Sequence, residues 1–532
     1  MSTPQARAEG AGRRRSRAAL AVLSGSLLVV GTAAAAVGSE LWPVKNTPVE
    51  VPAATMPAGD TVLACAPTLH RVGGSESSDE AYGPGAATAT STVRSLALGD
   101  QAQRLPGAEL LSEDRTLATL QARLSEAEAA KEATAASDGF SGTKGLVDAG
   151  RRFDDALWLR VQSLAGLRSP AAMTRTVNQN DGDLTGLATE ACAAPSNVTW
   201  LAGASTTLGH TSVLVVSNPS KTTASVQVDV RTSAGLATEG AIQDFTLEPG
   251  ATKSINVGGT ARDEAAVTVR VSSSGAPVSA TLSQAILRGL RPGGIAIISA
   301  SADPATRQIM PGVQVLGAAD ASKVGSSEDA GDELPEVQLT DASGQGSTAT
   351  LTALAADGTR TVVAKDVQIG KNAVVNVPLA SLPAGNYTLE AVADESIVAS
   401  ARLLRGSDPK QPVDVAYIPG VAEMSTGQLL ALPEVGTGWL HLAAPEEDSK
   451  VVIAPVAADG TVGESRTVEI TAGQTVTVKA ADFKGAAGLR LGASAGGVYA
   501  SLLTEDGASK TAALVPQELP DAPASARVEL LP

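Results

Sequence analysis

Few residue groupings in this chain could do chemistry. Gly492-Ala-Ser494-Ala-Gly496 matches the G-x-S-x-G spacing of a nucleophile elbow. That device needs a strand, a sharp turn and a helix, with a later His to take the serine proton. The last His is His441, which precedes Ser494, so acyl transfer of this kind is not expected. Ser141-Gly-Thr-Lys144 matches S-x-x-K, but the S-D-N and K-T-G elements that complete that machinery do not occur. His70, His210 and His441 are far apart and none sits in H-E-x-x-H, so zinc-ligand spacing is lacking. Asn178-Gln-Asn-Asp-Gly182-Asp183 is dense in oxygen atoms. Placing Gly182 at the invariant glycine of a calcium loop puts Val177 and Ala188 where oxygen ligands are required, so a polar turn is expected there. The expectation is a chain with no catalytic, cofactor-binding or metal residues: not an enzyme.

Two cysteines remain, Cys65 and Cys192. An even pair with nothing else to bond reads most simply as one disulfide, closing a loop of about 128 residues and worth on the order of 4–5 kcal/mol in the chain-entropy model. No C-x-x-C occurs, which argues against a redox thiol.

The compartment follows from the first forty residues. Arg13, Arg14, Arg15 and Arg17 precede an unbroken apolar run over 18–38. As a helix this run spans about 31 Å, one hydrocarbon core. The arginines stay inside, so the topology is N-in, C-out. The expectation is a cytoplasmic basic tail over 1–17, a transmembrane anchor over 18–38 and a Pro-containing spacer over 39–60. The alternative is a cleaved signal, with A-x-A choices at Thr32-Ala33-Ala34-Ala35-Ala36 and a secreted product.

Net charge is −16 and aromatics make up 2% of the 532 residues. An acidic outer portion repels phosphates, so nucleic acid is not an expected partner. The apolar fraction rests on Ala, Val and Leu, so any core is built from small aliphatic side chains.

Within 61–195 the spacing of Leu110, Leu117, Leu120 and Leu124 is near-helical, and 147–167 reads as a second helical or mixed segment. This region is expected to be mixed, disulfide-closed and partly helical. From Thr199 the pattern becomes period-two: Ser212-Val-Leu-Val-Val-Ser217, Ser225-Val-Gln-Val-Asp-Val230 and Ala266-Val-Thr-Val-Arg-Val271. Gly312 and Gly420, in Ile309-Met-Pro-Gly-Val313 and Ile418-Pro-Gly-Val421, are 108 residues apart, and Gly203 lies 109 before Gly312. Turns recur as Ser233-Ala-Gly235, Ala356-Asp-Gly358 and Ala458-Asp-Gly460, and again before Ile255, Val374 and Val476. A period of this length predicts an all-β chain of tandem immunoglobulin-like sandwiches over 196–305, 306–407 and 408–515, with a tail over 516–532. The alternative is a β-propeller with two blades per repeat.

Asp183-Leu-Thr-Gly-Leu-Ala-Thr-Glu-Ala-Cys192-Ala-Ala-Pro, then Trp200-Leu-Ala-Gly203 and Leu214-Val-Val-Ser-Asn218-Pro219, resembles the actinobacterial domain-of-unknown-function family 5719. The resemblance implies a cell-envelope location, supports pairing Cys65 with Cys192 and implies no activity. The functional expectation is a non-catalytic, membrane-anchored scaffold or interaction protein outside the cytoplasm, with an envelope protein as partner. The alternative is a binding module for an envelope glycan or exported protein, and a hydrolase is the third reading.

Overall fold

The computed structural model describes residues 58–69, 89–131, 144–325 and 334–518, apart from residues 114, 239, 290, 407–411 and 426, together with a strand pair at 54–55 and 525–526. The segments expected to form the basic tail and the membrane anchor lie outside the described residues. No helix among the described residues is long and apolar enough to cross a membrane.

Two units separate. The smaller is seen as β1 (Ala54–Thr55), which pairs antiparallel with a final strand at Ser525–Ala526. The larger consists of four successive subunits of antiparallel strands. The first holds β2 (Thr61–Cys65), β3 (Ser91–Leu98), β4 (Ala108–Ser112), β5 (Arg115–Gln121), β6 (Gly145–Arg152), β7 (Leu157–Val161), β8 (Ala171–Gln179) and β9 (Gly186–Ala191). The second holds β10 (Val198–Ala204), β11 (His210–Ser217), β12 (Ala224–Thr232), β13 (Gly235–Leu236), β14 (Phe245–Leu247), β15 (Thr252–Asn256), β16 (Val267–Ser274), β17 (Ser279–Arg288) and β18 (Arg291–Ile298). The third holds β19 (Ala305–Val315), β20 (Glu336–Asp341), β21 (Ser347–Ala355), β22 (Arg360–Ile369), β23 (Val374–Pro378), β24 (Gly385–Arg405) and β25 (Asp414–Pro419). The fourth holds β26 (Gln428–Ala431), β27 (Thr437–Ala444), β28 (Ser449–Ala457), β29 (Arg466–Ile470), β30 (Gln474–Lys479), β31 (Ala486–Ala493), β32 (Tyr499–Asp506) and β33 (Lys510–Leu514). A short β34 (Gln517–Glu518) adds to β26.

All four share one strand order. The first has sheets β2-β7-β4-β5 and β6-β3-β8-β9, and the fourth has β26-β31-β28-β29 and β30-β27-β32-β33. The second matches them with β10-β16-β12, edged by β13 and β14, and β15-β11-β17-β18. In the third, the 21-residue β24 runs through both sheets and joins them into one of seven strands. Period-two sequence is what allows this. On β12, buried Val226, Val228 and Val230 alternate with Ser225, Gln227 and the half-buried Asp229. Within each subunit the facing sheets enclose an aliphatic core, such as Leu214, Val228, Val269 and Leu282 in the second.

The expectation of a partly helical stretch over 61–195 is corrected. Leu110 lies on β4, Leu117 and Leu120 on β5, and 147–161 supplies most of β6 and β7. The near-helical leucine spacing arises because a hairpin interrupts it between β4 and β5. Among the described residues of that region the helix is α1 (Glu126–Ala129), capped by Ser125. A second, α2 (Ala318–Gly325), follows β19. The turns at Gly235, Gly358 and Gly460 do occupy one equivalent place, the hairpin leaving β12, β21 and β28. The 108-residue glycine spacing does not: Gly203 and Gly312 fall at register shifts in β10 and β19, whereas Gly420 lies just past β25.

The subunits close into a ring. Each packs its first sheet on the second sheet of the next: Ala66 on Val213 and Val215, then Trp200 and Ala202 on Val398. Ser501 Oγ donates to Pro311 O across the next contact, and Leu429 and Ala431 meet Leu96, Leu98 and Ala172 across the last. At the centre β9 packs on β18 and β33, and β25 on the same two. Asp414 ties these four strands together. Its Oδ1 accepts from the N–H groups of Ile295 (3.0 Å) and Val415 (3.1 Å), and Oδ2 from Leu187 (2.7 Å) and Thr511 (3.0 Å). One donor thus comes from each central strand. Burial pushes this carboxyl well above its usual range while the four N–H donors pull it down. Gly186 and Gly294 make the room, since a Cβ on either would stand within 2.7 Å of Oδ1. Ala188, Ala296, Ala416 and Ala512 follow the four donors, and no water-sized space remains between the strands there.

Candidate binding cleft

The ring contacts are not alike, and the contact between the first and second subunits leaves a cleft of about 290 Å³. Its first wall is the outer face of the β2-β7-β4 sheet. Register places Val62 opposite Arg160 and Leu111 opposite Trp158, and the period-two rule puts all four on one face. Glu113 stands at the end of this wall. The second wall is made of two turns, Pro219–Lys221 and Pro249–Gly250. Both are pinned by Asn218, which is fully buried. Its Nδ2 donates to Thr222 O and Leu247 O, both at 2.8 Å, and its Oδ1 accepts from Ser220 N–H (3.0 Å) and Oγ (2.6 Å). Its carbonyl accepts from Gly250 N–H at 2.8 Å.

The same place is shut elsewhere. At the second contact Arg231 lies 4.5 Å over the Trp200 ring and donates to Asn372 Oδ1 at 3.4 Å. At the third, Arg360 Nη2 donates to Pro445 O at 2.7 Å, with Gly358 against Gln474. At the fourth, Gly145 N–H donates to Gly460 O at 2.7 Å. The closing hairpins carry glycine at φ +110°, +87° and +81°, a conformation that lets the turn lie close against the next subunit. The first subunit carries Glu113 there, and among the described residues no hydrogen bond joins it to the Pro249–Gly250 turn.

The cleft carries charges of both signs, Arg160 and Lys221 against Glu113. Neither Arg160 nor Lys221 forms an ion pair among the described residues, and Glu113 reaches only Arg115, at 3.9 Å. The Trp158 indole N–H is buried without a hydrogen-bond partner.

Cys65 and Cys192 are bonded to each other and fully buried. Beside them lies a pair that sequence reasoning missed. Glu190 and Arg175 face each other across β9 and β8, both with no exposure. Glu190 Oε1 accepts from Ala66 N–H at 3.0 Å, and Oε2 has no partner. Burial pushes this carboxyl up to about 7, against the opposing pull of Arg175. Arg175 in turn donates to Ser91 Oγ, Phe153 O and Asp155 O, each at 2.6 Å. Cys65, Glu190 and Cys192 bring ligand-type atoms within 4.8 Å of one another, but both sulfurs are spent in the disulfide. No local signal marks the charged pair, because inward-facing Glu and Arg on strands look like any other alternating polar residue.

The remaining candidates do not converge. Ser494 lies between β31 and β32, so a strand and not a helix follows it. His210 and His441 each meet a threonine hydroxyl, Thr207 and Thr477, and burial pushes both imidazoles down to about 4. Lys510 Nζ donates to Asn178 Oδ1 and Asn180 Oδ1, so an ammonium already occupies the oxygen-rich turn weighed above for calcium. His70, Ser141, Arg13, Arg14, Arg15 and Arg17 lie outside the described residues.

A family model described as a family of unknown function (DUF5719) matches residues 147–481. The chain belongs to this family. The DUF5719 match begins within β6 and stops before β31, so both ends of the ring extend beyond it. It covers Cys192, Trp200 and Asn218, the specific part of the resemblance noted above, but not Cys65, Val62 or Leu111. Neither a curated protein nor a solved structure matches the chain.

Proposed function

We propose that this DUF5719 protein is a non-catalytic scaffold or interaction protein held outside the cytoplasm by its N-terminal segment. The β subunits are read as immunoglobulin-like sandwiches joined in a ring, presented on a Pro-containing spacer. The observation that carries this reading is where the deeply buried ionisable groups spend their bonds. Asp414 is taken up by four backbone N–H groups, Arg175 mainly by backbone carbonyls and Glu190 by a backbone N–H. These groups join strands and face no cleft, which is the opposite of an acid–base site. The basic residues ahead of the apolar run support single-pass insertion with the ring outside.

The test has two arms. Protease added to intact cells should digest a C-terminal tag on the full chain, and deletion of residues 18–38 should abolish membrane association. In-cell photo-crosslinking of the full chain, read by mass spectrometry, should yield a reproducible envelope protein. A tag that stays protected until the cells are lysed would overturn the location. A binding module is the second reading, favoured by the open cleft at the first subunit contact.

A further inference from the structure

We propose that the cleft between the first and second subunits binds a carboxylate-bearing sugar unit. The proposal rests on the interaction reading above and supplies it with a ligand chemistry. Three features define that chemistry. First, Arg160 and Lys221 both line the cleft, and neither forms an ion pair among the described residues, with Glu109 opposite Arg160 in register. Two cations free of an ion pair on one small cleft of an acidic chain favour an anion over a cation. The planar guanidinium of Arg160 suits a carboxylate in particular, with Lys221 as a point charge beside it. Second, Val62, Leu111, Trp158, Pro219 and Pro249 make the rest of the lining largely apolar. Such walls favour an organic body over a bare inorganic ion. Third, Glu113 at the other end accepts hydrogen bonds and repels a second anion. A ligand that ends in a carboxylate on one side and in hydroxyls on the other satisfies both ends, and a pyranose uronate has that form.

The size agrees. About 290 Å³ is at the lower limit for ligand sites, enough for one or two sugar rings and too small for a folded partner. The walls are also preorganised: Asn218 holds both turns, and the disulfide at Cys65 ends the strand that bears Val62. At the equivalent place in the other three contacts, Arg231, Arg360 and the Gly145–Gly460 bond bridge the two walls.

The experiment uses the full chain in detergent, with 5-fluorotryptophan at its four Trp positions. The probes are D-glucuronate, D-glucose and N-acetyl-leucine, and the Trp158→Phe variant assigns the Trp158 signal. Glucuronate should move that signal saturably. Arg160→Gln with Lys221→Gln should weaken binding by about tenfold or more, the scale expected for losing charge-assisted hydrogen bonds, while leaving the other three fluorine signals unmoved. Equal shifts with glucose would overturn the role of charge. Tighter binding of N-acetyl-leucine would overturn the sugar. No shift by millimolar glucuronate would overturn the site itself. A crosslinked protein partner with no Trp158 shift removes the sugar proposal alone. A Trp158 shift with no crosslinked protein leaves the cleft and removes the protein scaffold.

Discussion

The first and the third ring contacts are built from the same strands in the same order, yet one is open and the other shut. At the third, the hairpin leaving β21 turns at Gly358 and lies against Gln474, with Arg360 bonded across to Pro445 O. At the first, the hairpin leaving β4 turns at Glu113, and among the described residues no hydrogen bond joins Glu113 to Pro249 or Gly250. Topology therefore sets where a contact can form, and a single turn residue contributes to whether a cleft remains. The centre behaves differently. There all four subunits meet at one carboxylate, which accepts an N–H group from each of them.

Substitutions can break this contrast. Asp414→Ala strands four buried N–H groups at about 1–3 kcal/mol each, so a loss on the order of 4 kcal/mol or more is expected. Urea denaturation followed by tryptophan fluorescence would read it. A loss below about 1 kcal/mol would mean the axis is held by alanine packing alone.

Replacing Cys65 and Cys192 by Ser releases a 127-residue loop. The expected loss is about 4–5 kcal/mol, comparable to that of Asp414→Ala. Equal midpoints for the double Ser variant and the parent would overturn the stabilising role of the bridge.

Glu190 gives a pH signature. Burial raises its folded value to about 7 from the ordinary 4.5, so the folded chain holds the proton more tightly than the unfolded one. Its contribution is fully present below about 4.5 and fades as pH rises through about 7, by roughly 3 kcal/mol. His210 and His441 act oppositely, since their depressed values favour the folded state above about 6.5 and cost stability as pH falls toward 4. The difference between parent and Glu190→Gln isolates the carboxyl. It should change between pH 5 and 8, and a flat difference would count against the assignment.

The smallest effect tests the contacts directly. Gly235→Ala places a side chain at φ +110°, where a cost of about 1–3 kcal/mol is expected from backbone strain. Glu113→Gly should change stability by well under 1 kcal/mol, because among the described residues Glu113 forms no hydrogen bond or ion pair across the cleft. If the two variants lose the same amount, the open and shut contacts are not distinct.

Local pattern revealed much of the fold. Alternation on β11, β12 and β16 was plain, as were the glycine turns at 235, 358 and 460. The first subunit escaped because its equivalent hairpin lacks glycine and its leucines straddle a turn. The cleft was not legible either. Trp158 and Arg160 stand out only as neighbours of period two, and nothing near them points to Pro219 or Pro249.

By itself the sequence determined that the chain is mainly β and that its turns repeat, and its two cysteines left one pairing. These follow from period-two burial, from glycine's access to positive φ and from parity, all of which act over a few residues or need no geometry. Only the tertiary structure decided that a fourth subunit closes a ring, that Asp414 gathers N–H groups from residues 187 to 511, and that Glu190 meets Arg175. Such meetings depend on the register between strands far apart in the chain, and register is set by packing of whole sheets, which no local pattern of residues encodes.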